Sequence, residues 1–81
     1  MTRDEIRAAV LAALGDVAPE ADLGALASDA PLRETLDLDS MDFLRFVQRL
    51  ATVTGVEVPD ADAGRLATLD DCVAYLAPRA R

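Results

Sequence analysis

The chain has 81 residues, a net charge of −7, no histidine or lysine, and one cysteine. Without an imidazole or a lysine amine, the chain cannot build a Ser-His nucleophile pair or a lysine Schiff base. A zinc site with about four Cys or His ligands is also excluded. We therefore expect that the protein is not an enzyme. The acidity argues against nucleic acid as a partner. The N-terminus does not resemble a signal peptide, and no apolar run is long enough to span a membrane, so we expect no membrane span. One cysteine gives no disulfide framework, so we expect a cytoplasmic location. We also expect a monomer.

The negative charge is concentrated in one stretch of the sequence. Residues 16–42 hold eight of the 15 acidic side chains and one basic side chain, Arg33, whereas the rest of the chain holds seven of each. A localised negative field suits docking to basic partner surfaces. The alternative is that these acids only keep a small protein in solution.

The first predicted helix runs over about residues 3–14. Thr2 and Glu5 form a capping box at its start, and Gly15 is the expected C-terminal stop. Apolar side chains recur at helical spacing and predict a buried stripe made of Ile6, Val10, Leu11 and Leu14.

A long connection follows over residues 15–39. A helical turn is expected within residues 21–27, and Pro19 and Pro31 break longer structure. A connection of this length is unusual in a compact domain unless side chains fix it to the core. We expect five leucines to do so: Leu23, Leu26, Leu32, Leu36 and Leu38.

The second main helix is predicted to begin at Ser40, placed at the N-cap, and to end near Thr54, with Gly55 as its stop. Its core-facing side is expected to be Phe43, Phe46, Val47 and Leu50. Met41 falls among the polar residues of the opposite side and Leu44 on its shoulder.

The last third of the chain predicts a brief helix over residues 60–65 and a final helix. A second capping box at Thr68 and Asp71 starts that final helix, and Pro78 closes it. The sequence therefore predicts one all-α domain over residues 1–81. It is a small bundle of three main helices plus one short helix, with a long loop between the first and second.

The segment Leu36-Asp37-Leu38-Asp39-Ser40-Met41-Asp42 contains the candidate functional residue, Ser40. A serine at a helix start is usually only a cap for a backbone N–H. This segment, however, resembles the phosphopantetheine attachment site of acyl carrier proteins, in which Asp-Ser-Leu or Asp-Ser-Met opens the second helix. Flanking segments resemble that family in the same order: Pro31-Leu32-Arg33-Glu34, Glu57-Val58-Pro59-Asp60, Leu66-Ala67-Thr68-Leu69 and Tyr75-Leu76.

The resemblance implies an all-α carrier in which Ser40 is an attachment point and not a catalyst. A phosphopantetheinyl transferase would move 4′-phosphopantetheine from coenzyme A onto the Ser40 hydroxyl, and the terminal thiol of the arm would carry an acyl group. A phosphodiester is compatible with a helix start, where backbone N–H groups are free and the helix dipole is positive. Implied partners are acyl ligase, ketosynthase or acyltransferase type enzymes, in fatty-acid-like, polyketide or another dedicated acyl biosynthesis.

The resemblance also implies that residues beside the serine contact partner enzymes. The docking candidates are Asp39, Met41, Asp42, Leu44, Arg45 and Arg49. Arg45 and Arg49 depart from the acidic second helix of many fatty-acid carriers. Either they are cations that suit the later part of a helix, with Asp42 paired to Arg45 at i,i+3, or they direct this carrier to a dedicated pathway.

Two other functions stay open. One is a carrier of aminoacyl or peptidyl groups, although those sites more often show Gly-Gly before the serine, where this chain has Leu38-Asp39. The other is an unmodified acidic helical interaction module. The acids around Ser40 lack the glycine and glutamate of a calcium-binding EF-hand loop, so no metal is expected. Cys72 is expected to be buried and unreactive.

Overall fold

A computed structural model of the protein describes residues 1–80. The elements in chain order are α1 (Arg3–Val17), a 3₁₀ turn (Leu23–Ala25), α2 (Leu32–Thr35), α3 (Ser40–Thr54), a 3₁₀ helix (Asp60–Arg65) and α4 (Leu69–Leu76). α1 packs against both α3 and α4, and the 3₁₀ helix packs against α4. The predicted all-α bundle with three main helices is confirmed, and it contains one short helix, α2, that the sequence did not predict.

Side-chain caps start α1 and α4. The predicted box at α1 is complete, because Glu5 N–H donates to Thr2 Oγ1 at 3.1 Å and Thr2 N–H donates to Glu5 Oε1 at 2.7 Å. At α4 the box is half formed: within the described residues only the bond from Asp71 N–H to Thr68 Oγ1, at 3.0 Å, is present.

The end of α1 differs from the prediction. Gly15 is not a stop but lies inside the helix, which continues to Val17. The physical stop is Pro19, because a proline disfavours helical backbone in the residue before it. Ala18 accordingly leaves the helix with φ −135° and ψ 66°.

The core draws on α1, α3, α4 and the connections before and after α3. Three leucines of the connection between α1 and α3, Leu26, Leu32 and Leu38, are buried, and Leu23 and Leu36 are partly buried against the same cluster. The prediction that leucines anchor the connection is therefore confirmed. The fully buried large side chains are Ile6, Val10, Leu14, Leu32, Phe46, Leu50, Leu66, Leu69, Cys72 and Leu76.

Two backbone hydrogen bonds fasten the first connection to the start of α4. Leu32 N–H donates to the Ala67 carbonyl at 2.9 Å, and Asp70 N–H donates to the Ser28 carbonyl at 3.0 Å. Since backbone groups removed from water need partners, these bonds let non-helical chain lie against the core. The short helix α2 begins immediately after one of these anchors.

The second connection, from Gly55 to Thr68, is held around the only tyrosine of the chain. Tyr75 Oη donates to Asp62 Oδ2 at 2.7 Å, and this bond and burial raise the pKa of the tyrosine. The guanidinium of Arg79 lies 3.9 Å from the ring centroid and that of Arg65 lies 5.0 Å from it. Arg79 also donates to the Tyr75 carbonyl at 2.7 Å. The predicted bounds of the brief third helix are confirmed, and its hydrogen bonding is 3₁₀.

Cys72 lies on α4 with its side chain fully buried. Burial, helped by the nearby Asp71 carboxylate, raises the pKa of the thiol to about 12. The predicted burial of Cys72 is confirmed, and since the thiolate is the reactive form, an unreactive thiol is expected. No helix in the described part of the chain is long and apolar enough to cross a membrane.

Candidate functional site

Ser40 is the first residue of α3, and its side chain is exposed. The prediction that Ser40 is the N-cap is wrong, since Asp39 holds that position. Asp39 Oδ1 accepts from Asp42 N–H at 2.8 Å, and Asp42 Oδ2 accepts from Asp39 N–H at 3.3 Å. Because Asp39 takes the capping role, the Ser40 hydroxyl is not needed by the helix. It is available at the surface for another purpose.

A tight turn between α2 and α3 sets the position of Ser40. Asp37 adopts the left-handed conformation with φ 53°, and Leu38 N–H donates to the Arg33 carbonyl at 2.8 Å. This is the six-to-one bond of a Schellman ending for α2. Leu38 then enters the core, two residues before the serine. An exposed hydroxyl is thus presented by backbone that is fixed on its N-terminal side.

Arg33 is the side chain that hydrogen-bonds to the serine hydroxyl within residues 1–80. Its Nη2 donates to Ser40 Oγ at 3.3 Å, and its guanidinium carbon lies 5.4 Å from the centroid of the Phe43 ring. No role for Arg33 was predicted beyond its place in the family-like segment. Six residues lie between it and Ser40, and the turn between α2 and α3 brings the two together.

The two acids beside Ser40 are engaged with the helix start. Both carboxylates bond to backbone N–H groups, and Arg45 Nη2 also donates to Asp42 Oδ1 at 2.7 Å. The pKa of Asp42 is lowered, chiefly by the Arg45 guanidinium and then by the bond with the Asp39 backbone. Neither carboxylate is placed by these bonds as a base for the serine. Within residues 1–80, the side-chain hydrogen bond to the Ser40 hydroxyl comes from Arg33, which can only donate.

An apolar pair lies next to the serine on the solvent side of α3. The Met41 side chain is 65% exposed and Leu44 is 44% exposed, whereas Phe46 and Val47 are buried. Phe43, predicted to face the core, is only partly buried. Two large apolar side chains exposed to water beside Ser40 are a suitable contact for a partner protein.

Both arginines of the α3 surface are paired with acids. The predicted i,i+3 pair of Asp42 with Arg45 is confirmed at 2.7 Å. Arg49 Nε pairs with Asp16 Oδ2 of α1 at 2.8 Å, a contact the sequence analysis missed. The signal for it was weak, since it depends on how α1 and α3 pack. The two cations therefore do not form an uncompensated basic patch.

Comparison with known proteins identifies the class. The family model described as "Phosphopantetheine attachment site" matches residues 4–76. Curated relatives named acyl carrier protein include that of Campylobacter hominis, 34% identical over 73 residues, which covers 90% of this chain and 86% of the relative. That of Campylobacter jejuni is 31% identical over 75 residues, covering 93% and 91%.

Other relatives match over shorter stretches. The acyl carrier protein of Lactobacillus johnsonii is 37% identical over 51 residues, 63% of this chain and 64% of the relative. That of Rubrobacter xylanophilus is 33% identical over 48 residues. The alignments with the Lactobacillus johnsonii and Rubrobacter xylanophilus proteins each span less than two thirds of the relative's own length. Together with the family model, the longer matches show that this chain belongs to the acyl carrier protein family. The cofactor of that family's attachment site is 4′-phosphopantetheine.

The residues at the start of α3 fit such a group. A phosphodiester on Ser40 would be attached to an exposed residue at the surface of the molecule. In an α-helix the first N–H groups lack intrahelical acceptors, and here Asp39 satisfies that of Asp42 and leaves those of Ser40 and Met41. These groups and the helix dipole favour an anion.

Proposed function

We propose that this chain carries acyl groups as thioesters on a 4′-phosphopantetheine arm bound to Ser40. One observation carries the proposal: the Ser40 hydroxyl is exposed at the first residue of α3, while Asp39 performs the capping that a serine would otherwise provide. The family match supports a covalent attachment site in a chain of this kind. The names of the relatives favour acyl over aminoacyl cargo.

The local chemistry defines what Ser40 contributes and what it needs. Its Oγ is the nucleophile that becomes bonded to the phosphorus of the pantetheine phosphate, while the phosphorus–oxygen bond to the nucleotide part of coenzyme A breaks. The side chain that contacts Oγ is Arg33, a donor that cannot accept the hydroxyl proton. The proton must therefore go to a base of the transferase. When bound, the arm supplies a terminal thiol for thioester formation.

The two serines of the chain allow a matched test. Incubation with coenzyme A and a broad-specificity phosphopantetheinyl transferase should add one phosphopantetheine, read by intact mass. Ser40→Ala should abolish the addition, and Ser28→Ala, which removes a hydroxyl bonded to Arg7, should leave it complete. Addition to the Ser40→Ala protein would contradict the assignment. An unmodified wild-type chain would favour the interaction module instead.

We propose the docking surface as the six residues around the attachment point on α3. Met41 and Leu44 supply its exposed apolar part, and the remainder is charged, with Asp42 paired to Arg45 and Arg49 paired to Asp16. Its members are Asp39, Met41, Asp42, Leu44, Arg45 and Arg49. The partners proposed for it are the transferase and acyl ligase, ketosynthase or acyltransferase type enzymes. A cytoplasmic location, a monomeric state and a single domain over residues 1–81 stay predictions.

Charge reversal on this surface tests the proposal of a dedicated pathway. Arg45→Glu with Arg49→Glu should raise elongation of the loaded carrier by a general fatty-acid ketosynthase with a basic docking surface, because both ion pairs are replaced by uncompensated acidic charge. The gain should be largest at low salt and fade as salt rises. The Gln double variant is the control for charge removal alone. Equal rates for all three proteins at low salt would leave the arginines as a solvated helix surface.

A further inference from the structure

The side chain of Arg33 points at the atom that the proposed function would esterify. Its Nη2 lies 3.3 Å from Ser40 Oγ, and this contact joins residues of two different helices. We propose that Arg33 is the phosphate-positioning residue of this carrier: it pairs with the phosphodiester on Ser40 and restricts the first bonds of the arm. This inference rests on the proposed attachment at Ser40.

Three contacts hold Arg33 at this place before any modification. Its carbonyl accepts from Leu38 N–H at 2.8 Å, which fixes its backbone to the segment that enters α3. Leu32, the preceding residue, is fully buried and donates its N–H to the Ala67 carbonyl. The guanidinium lies 5.4 Å from the Phe43 ring centroid, within the range of a cation–π contact. Part of the ordering of this long side chain is therefore done in the unmodified protein.

The charge distribution leaves Arg33 free for a phosphate. It is the one basic residue within residues 16–42, among eight acids. The arginines of the α3 surface are engaged with Asp42 and Asp16, whereas Arg33 forms no ion pair within residues 1–80. A phosphodiester would add a negative charge beside Asp39 and Asp42. A cation beside Ser40 that forms no other ion pair within residues 1–80 would offset that repulsion.

The chemistry of the guanidinium suits the group. Its planar set of donors matches the two unesterified oxygens of a phosphodiester, which a lysine ammonium binds only as a point charge. Esterification places those oxygens two bonds from Oγ, the atom that Arg33 already contacts. The present bond to a neutral hydroxyl would be replaced by a charge-assisted one, which is the stronger kind.

A thermodynamic cycle measures this pairing without any activity assay. The midpoint of thermal unfolding is compared for unmodified and phosphopantetheinylated forms of wild type and Arg33→Gln, at low salt. In each protein, the change in midpoint caused by modification is measured. This change should be more positive in wild type than in Arg33→Gln by about 2–4 °C, the effect of one exposed charge pair in a domain of this size. The difference should shrink at high salt.

Arg7→Gln is the matched control. Arg7 Nη1 also donates to a serine hydroxyl at 3.3 Å, that of Ser28, and its removal deletes the same charge elsewhere in the molecule. It should give the wild-type response to modification. Arg33→Lys should retain only part of the response. Equal responses of wild type and Arg33→Gln would overturn the proposal, and equal losses in the Arg7 and Arg33 variants would reduce it to a general charge effect.

A measurement on the wild-type protein alone covers the case in which the variant is poorly modified. In ¹⁵N–¹H spectra of arginine side chains, the Arg33 Nε–H signal should shift between unmodified and modified protein, and the Arg7 signal should not. An unmoved Arg33 signal would also overturn the inference. Intact mass separates this failure from that of the proposed function: absence of added mass on wild type defeats both proposals, whereas added mass with an unmoved signal defeats only this one.

Discussion

The two connections that flank α3 are held in different ways. The first, which leads to Ser40, is fixed by buried leucines and by backbone bonds to the start of α4. The second is fixed around one aromatic ring, Tyr75, by a hydrogen bond to Asp62 and two guanidinium groups. Both connections bury apolar side chains, Leu66 and Val56 in the second, but the second also depends on a cluster of charged and titratable groups around Tyr75.

The difference follows from the positions of the two connections relative to the site. The residues next to Ser40, Asp39 and Met41, are exposed, so the chain that leads to them needs apolar anchors set back from the surface, such as Leu32 and Leu38. The second connection is not adjacent to the serine in sequence, and polar contacts to Tyr75 add to its buried side chains. Substitutions that remove a buried leucine or the tyrosine hydrogen bond should therefore lower stability in ways that distinguish the two connections.

The largest effect is expected from Leu32→Ala, which empties a fully buried position in the first connection. The removed atoms no longer gain free energy from burial, and a cavity stays behind, so the free energy of unfolding should fall by about 3 kcal/mol. That is a large share of the stability of a small domain. Urea denaturation measures the loss. Leu44→Ala, the same change at a residue 44% exposed, should alter stability by less than about 0.5 kcal/mol; similar losses in both would refute the anchoring role.

An intermediate, pH-dependent effect is expected from Tyr75→Phe, which keeps the ring but removes the bond to Asp62. The thermal midpoint should fall by a few degrees at neutral pH. Because the folded-state pKa of Tyr75 is raised above its ordinary value of 10.0, the stabilisation is complete below about pH 10 and is lost as pH rises through the folded-state pKa. The gap between wild type and variant should therefore close in alkali.

Cys72 titrates in the same direction, with a pKa of about 12, but it is present in both proteins and cancels in the comparison. As the chain has one tyrosine, tyrosinate absorbance reports the titration of Tyr75 directly. A gap between the two midpoints that stays constant from neutral to alkaline pH would show that the hydrogen bond does not hold the second connection.

The smallest effect is a gain. Asp37 adopts φ 53° in the turn before Ser40. This left-handed conformation is strained for residues that carry a Cβ, although aspartate tolerates it better than most, and it is almost free of strain for glycine. Asp37→Gly should raise the free energy of unfolding by about 0.5 kcal/mol. Gly55→Ala is the reverse test, since Gly55 has φ 71° and an added Cβ there would meet open space. It should destabilise through the backbone alone, and the same sign for both changes would contradict this account.

The sequence predicted the elements whose signals are local. The bounds of α3 followed from its helical periodicity and from Gly55, and the box at Thr2 and Glu5 is formed by neighbours in the chain. Four-residue α2 was missed because it is too short to show a periodicity. Asp39 and Ser40 are adjacent and both are good N-caps, so their order had to be read from the backbone.

The parts that depend on packing were beyond local reasoning. The pairing of Asp16 with Arg49 requires the contact between α1 and α3, and the placement of Arg33 at Ser40 requires the turn at Asp37. The exposed Ser40 and its apolar neighbours could therefore be predicted from the sequence, but the guanidinium beside Ser40 could not. The sequence located charges along the chain without showing which of them neutralise each other.

The burial of Cys72 has a practical consequence for handling the carrier. Its thiol is protonated at neutral pH and closed to solvent, so thiol-reactive dyes and maleimides should leave the folded, unmodified chain untouched. The free thiol of a pantetheine arm on Ser40 would then be the single labelling position of the native protein. Simple colorimetric thiol counting, done before and after denaturation, would give the occupancy of the arm with Cys72 as an internal standard.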